Sequence, residues 1–288
     1  MLSAYKFLDT EISQNKRKFS ATHVVEDIQT GCHHILKIAS LKDEKAVNVL
    51  KNERLFTFAS SSLQSSLKHW EEEGKFYLLK EFFEGENLLS FYKKLKRRER
   101  KKFLPQFLFS FSKLLDEVHN QHLLHLDIKP SNIIISGDIN AFEVKLIDFG
   151  LAWRYMENSS TKRKSYYPFG HAAPELVLNV PELFVPQTDY YALGILMYEL
   201  MEEELPFLHP NPVQSINLQL NLPLPTLSRK WRKYQGLLNK LTAKESFAKP
   251  PNQYTREQQG KVLLKGILKR YQNLGEMRKD LENIHSIA

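Results

Sequence analysis

Apolar and polar residues alternate through "KFSATHVVEDIQTGCHHILKIAS", residues 18–40, with β-branched residues on both sides of Thr30 and Gly31. That pattern predicts a β-hairpin. The next stretch, "DEKAVNVLKNERLFTFA", changes period: Val47, Leu50 and Phe56 recur at helical spacing. "LKHWEEEGKFYLLKEFF" returns to strand character and turns at Gly74. After Gly85 the apolar pattern is mostly helical, and "RKKFLPQFLFSFSKLLDEVHNQH", "TDYYALGILMYELMEEE" and "WRKYQGLLNKLTAK" each predict a helix. The serine cluster "SSSLQSS", residues 60–66, predicts a loop. The expected architecture is α+β. A small antiparallel β-sheet part with one helix, residues 1–83, precedes a larger mainly α-helical part, residues 84–288.

Composition narrows this without changing it. The chain has 288 residues, 42% hydrophobic and 26% charged, enough for one large globular unit or two lobes. A lone cysteine, Cys32, excludes an intramolecular disulfide framework and leads us to expect a reducing, cytoplasmic setting. Residues 1–16 lack the apolar core of a signal peptide, and "YYALGILMYELM" is too short for a membrane span and carries Glu199. The net charge of +8 raises the question of nucleic acid. The main basic run, "KKLKRRERKK" (residues 93–102), contains no aromatic residue on which a base could stack. It reads as a solvated connection between helices, and neither it nor the smaller cluster "TKRK" (residues 161–164) decides function. No nucleic-acid partner and no membrane segment are expected. Oligomeric state cannot be read from the sequence.

The chemistry concentrates in "HLDIKPSNIII", residues 125–135, where a carboxylate, an ammonium and an amide fall within six residues. Such a set suits phosphate and a hard metal ion. Three further stretches follow in order: "DFG" at residues 148–150, "APE" at 173–175 and "TDYYALG" from Thr188. Together they resemble the eukaryotic-type Ser/Thr protein kinase domain over nearly the whole chain, which implies the two-lobed α+β kinase fold, ATP and Mg²⁺ as cofactors, and a protein substrate. By that resemblance Asp127 would accept the substrate hydroxyl proton, Lys129 would steady the γ-phosphate, and Asn132 and Asp148 would ligate Mg²⁺. Phe149, Gly150 and Glu175 would frame the activation segment, and Asp189 would hold the catalytic-loop backbone. Upstream, Lys37 in "ILKI" would touch the α- and β-phosphates and pair with Glu53. The backbones of Glu81 and Phe83 would hydrogen-bond adenine.

Several positions depart from the pattern. Where the family has its glycine-rich loop, this chain has Asn15, Lys16, Arg17, Lys18, Phe19, Ser20, Ala21 and Thr22, with no glycine. Asn15, Arg17, Ser20 and Thr22 would therefore face the phosphates with less freedom of backbone approach. Each lost charge-assisted bond costs about 1.5–3 kcal/mol, although Arg17 or Lys18 could return part of it with their own charge. Lys80 falls where an uncharged residue is usual behind adenine; it either finds a buried partner or snorkels outward. Pro168 stands where a Thr would bond Asp127 or Lys129. Lys249 stands where an Arg would pair with Glu175, and keeps the charge without the bidentate fork. Leu126 replaces an Arg that would receive a phosphate from the activation segment, so phosphorylation of Ser159, Ser160, Thr161 or Ser165 is not expected to be required. The function expected is ATP- and Mg²⁺-dependent phosphorylation of Ser/Thr hydroxyls on a protein. A pseudokinase, acting as a binding or allosteric module, is the alternative that the missing glycines and Lys80 support. A small-molecule kinase of the aminoglycoside or choline type shares the Asp–Asn spacing but not "DFG" or "APE".

Overall fold

The computed structural model describes residues 1–8, 20–155 and 167–286. It divides into two compact units, the first formed by Met1–Glu86 with Ile134–Ala152, the second by Asn87–Ile133 with Trp153–Ala288. The division differs from a single cut at residues 83/84. The chain returns to the first unit because the segment after Ile133 is stitched to it: Leu146 accepts from the Gln64 N–H at 3.0 Å and donates to the Ser62 carbonyl at 2.8 Å.

In the first unit, strands β1 (Tyr5–Phe7), β2 (Ala21–Asp27), β3 (His33–Ser40), β4 (Ser66–Glu72) and β5 (Lys75–Glu81) form one antiparallel sheet in the order β1-β2-β3-β5-β4. The hairpins turn where expected, at Gly31 (φ 71°) and Gly74 (φ 70°), both left-handed positions that glycine occupies without a Cβ clash. Helix α1 (Glu44–Glu53) starts at Asp43, whose side chain accepts the Ala46 N–H at 3.0 Å. It ends earlier than the apolar spacing suggests. Phe56 lies beyond it and turns its ring to Phe149, with centroids 6.2 Å apart.

Strand parity sorts the sheet into two faces. Ala39, Phe76 and Leu78 pack under Ala46, Val47 and Leu50 of α1. Val25, Leu36, Trp70, Tyr77 and Leu79 form a separate cluster on the opposite face. Strand β6 (Glu86–Asn87) ends this part of the chain, and the later strands β8 (Ile133–Gly137) and β9 (Phe142–Leu146) are neighbours in a second sheet.

The second unit is mainly helical: α2 (Leu88–Lys94), α3 (Arg97–His119), α4 (Pro174–Val177), α5 (Pro186–Glu202), α6 (Pro212–Asn221), α7 (Gln235–Leu241), α8 (Arg256–Leu268) and α9 (Leu274–Ser286). Two-residue strands β7 (Leu123–Leu124) and β10 (Trp153–Arg154) pair antiparallel. Helix α5 is buried on nearly every side, as its unbroken apolar run requires. It packs against α7, and α3 packs against α9. The basic run bridges the end of α2 and the first turns of α3, and its Arg100 pairs with Glu203 at 2.7 Å. It is thus a helix-to-helix connection. Among the described residues, no helix is long and apolar enough to cross a membrane.

Candidate functional site

The first unit gathers one group of charged residues on the sheet face that α1 covers. Lys37 on β3 lies opposite Leu78 on β5, and Lys80, two residues on, projects to the same face. Glu53, the last residue of α1, meets them and is fully buried. The Lys37 ammonium donates to both Glu53 carboxylate oxygens, at 2.9 and 2.8 Å, and pairs with Asp148 Oδ1 at 3.0 Å. Burial opposes the Lys37 charge, but the Asp148 and Glu53 carboxylates outweigh it and hold its pKa above the ordinary lysine value. Lys80 does not snorkel. It is 0% exposed and donates to Glu53 Oε1. Burial pushes its ammonium below the usual lysine range, as does the charge on Lys37, with Glu53 opposing both.

Asp148 adopts a left-handed backbone (φ 67°). Phe149 is buried against the Phe58 and Phe56 rings, at 4.5 and 6.2 Å. The Asn52 side chain of α1 donates to the carbonyls of Gly150 and Ala152, both at 3.0 Å. A Cβ on Gly150 would meet the Val49 side chain at 2.5 Å, so this close approach to α1 needs glycine. The Glu81 carbonyl accepts from Gln64 Nε2 at 2.8 Å. Phe83 is half-buried, with the Lys145 ammonium 4.9 Å from its ring centroid. Thr22 pairs with Lys37 across β2 and β3, and Ser20 precedes that strand. Asn15 and Arg17, with Lys16, Lys18 and Phe19, lie outside the described residues.

The second unit gathers Asp127, Lys129 and Asn132. Lys129 Nζ donates to both Asp127 carboxylate oxygens, at 2.9 and 2.8 Å. Asn132 Nδ2 donates to the Asp127 carbonyl at 2.9 Å and to Oδ2 at 2.7 Å. The loop that carries them is pinned from below by Asp189, which accepts the N–H groups of His125 and Leu126 at 2.8 and 2.9 Å and meets His119 Nε2 at 2.9 Å. Burial opposes the Asp189 charge, but these donors hold its carboxyl below the usual range. Leu126 itself sits at φ 59° and is 2% exposed. It packs with Leu124, Ala172, Leu176 and Phe184, with Trp153 and Tyr155 at the margin. Pro168 has no N–H to offer, and its carbonyl accepts from His171 and Ala172 at 3.2 and 3.1 Å. Ser159, Ser160, Thr161 and Ser165 lie outside the described residues.

One assignment is corrected. Glu175 is not the partner of Lys249, which lies 5.0 Å from the Tyr254 ring centroid. Arg270, 95 residues downstream, makes the bidentate fork instead, at 2.6 and 3.1 Å, and both groups are buried. Arg270 also donates to the carbonyls of Gln187 and Ala243, at 3.0 and 2.9 Å, so its position is set by three segments. No local signal marked it, beyond one arginine following an apolar helical run in "GILKRYQNL".

Asp148 of the first unit carries a carboxylate and Asn132 of the second an amide oxygen, both hard oxygens. Among the described residues no group of three or more His, Cys, Asp or Glu forms a metal cage. Taken singly, each of the two side chains offers the kind of oxygen that Mg²⁺ takes beside phosphate and water ligands.

The sequence pattern of the protein kinase domain family matches residues 18–274, and the chain belongs to that family. Among relatives, it is 32% identical over 220 residues to an Aurora kinase of Eremothecium gossypii, covering 72% of this chain and 56% of that one. It is 28% identical over 233 residues to an Aurora kinase of Yarrowia lipolytica, covering 76% of this chain and 60% of that one. With protein kinase kin1 of Schizosaccharomyces pombe the identity is 31% over 185 residues, covering 59% of this chain and 19% of the relative. The chain thus spans little more than half the length of the Aurora kinases it matches.

Proposed function

We propose that this chain is an active protein kinase that moves the γ-phosphate of ATP to Ser/Thr hydroxyls of a protein substrate, with Mg²⁺ required. The observation that carries the reading is the state of Asp127: a buried carboxylate held by Lys129 and Asn132, on a loop anchored by Asp189. Asp127 orients the hydroxyl and takes its proton as the oxygen attacks the γ-phosphorus. The bond from that phosphorus to the β,γ-bridging oxygen breaks, and ADP leaves. Lys129 lies beside the carboxylate, where its ammonium offsets charge that builds on the transferred group. Lys37 binds the α- and β-phosphates, with Glu53 setting its direction. Asp148 and Asn132 are the residues that would each offer an oxygen to Mg²⁺, and the ion would supply further charge neutralisation on the phosphates.

Leu126 supports a second part of the proposal, namely that the activation segment orders without phosphorylation. An Arg at this place needs a phosphate, whereas Leu126 is already packed against apolar residues on both sides of that segment. The kinase reading is tested by transfer of radiolabel from ATP to a generic protein substrate. Wild type should exceed Asp127→Asn by at least about a hundredfold, as removal of a positioned acid–base group costs about 10²–10⁴-fold. A second reading, a non-catalytic binding module, is favoured by the extra buried ammonium of Lys80 beside Glu53. On that reading both proteins give the same background.

A further inference from the structure

Lys80 is the residue that most sharply separates this site from a simple lysine–glutamate pair. It lies on the same sheet face as Lys37, is 0% exposed, and donates to the Glu53 oxygen, Oε1, that Lys37 also contacts. The group therefore holds two ammoniums, Lys37 and Lys80, against two carboxylates, Glu53 and Asp148, so its charges balance. Glu53 also closes α1 at its C-terminal end, where the helix dipole disfavours a carboxylate. Two cations on that carboxylate oppose the dipole.

We infer that Lys80 is a positioning residue: it holds the Glu53 carboxylate, and with it the end of α1, whether or not nucleotide is bound. Lys37 is then free to divide itself between Asp148 and a phosphate. Without Lys80, the one remaining ammonium must satisfy two carboxylates, and less of it is left for ATP. The consequence for ATP rests on the kinase reading above, whereas the hold on Glu53 does not.

The test is a double-mutant cycle of Lys80→Met and Glu53→Gln, read by thermal unfolding without nucleotide and by titration with MgATP. Glu53→Gln alone takes from Lys80 its carboxylate and leaves Lys37 with Asp148 only, and should lower the midpoint by on the order of 10 °C. In the Lys80→Met background the same change should cost less than half as much. Lys80→Met alone should raise the Kd and the KM for ATP about tenfold and leave kcat within about threefold, a split that loss of packing alone does not produce. Lys80→Leu replaces Lys80→Met in the same cycle should the latter not fold. Equal midpoint losses in the two backgrounds overturn the proposal, and so does an unchanged ATP affinity in the Lys80 variant. The unfolding arm of the cycle uses no phosphate transfer, so a non-additive midpoint result beside an inactive wild type would retain the hold of Lys80 on Glu53 and remove only the kinase reading.

Discussion

Lys244 shows how one side chain can impose a pH dependence on the second unit. It follows α7, and its ammonium donates to the Gln219 carbonyl at 2.6 Å and lies 3.9 Å from the Phe207 ring centroid. Burial, and then the charge of Arg270, lower its pKa to about 7. In the unfolded chain a lysine keeps its proton to about pH 10.4. Between those values the unfolded state binds more protons, so this residue makes stability rise with pH across that window. The slope is at most about 1.4 kcal/mol per pH unit. Denaturant unfolding from pH 7 to 10 should give a flatter profile for Lys244→Met than for wild type, and parallel profiles would refute the assignment. Leu126 makes the opposite kind of point, since its importance lies in apolar contact. Leu126→Arg places an unpaired charge within that cluster and should destabilise the protein by at least about 2 kcal/mol in urea.

At the scale of elements, the strand-and-turn pattern was legible because alternation and left-handed glycines are local properties. The two hairpins and α1 followed from it directly. Helix α8 was missed although a sign was present: Thr255 and Gln258 form a capping box, at 2.9 and 3.2 Å. Its weak amphipathic pattern hid it. Helix α7 is shorter than "WRKYQGLLNKLTAK" suggests, because Arg232–Tyr234 forms a separate 3₁₀ turn before it. Asp43 caps the helix that delivers Glu53, so Asp43→Ala should cost about 1 kcal/mol of stability by thermal unfolding. For the activation segment, joint replacement of Ser159, Ser160, Thr161 and Ser165 by Ala should leave the phosphorylation rate within about twofold, because Leu126 offers no cation for a phosphate to engage. Collapse of that rate to the Asp127→Asn background would sink phosphorylation independence.

For the whole molecule, the fold and most of the chemical groups were set by sequence, since motif spacing and hydrophobic period are carried by the chain itself. Asp127, Lys129 and Asn132 lie within six residues of one another, and local backbone geometry is nearly enough to bring them together. Partner choice over long separations was decided only by tertiary structure. Sequence offered only Lys249 to Glu175, and Arg270 takes that place because its planar fork reaches both carboxylate oxygens while two further carbonyls fix it. Arg270→Ala should therefore cost about 3–5 kcal/mol by leaving Glu175 buried and unpaired, whereas Lys249→Ala should stay within about 0.5 kcal/mol, both measured by chemical denaturation. Lys80 belongs to the same class. Sequence placed it on a strand but left its direction open, and direction depends on the register of β3 against β5 and on where α1 ends. Those are cooperative properties of packing, and they turn an anomalous lysine into a partner of Glu53.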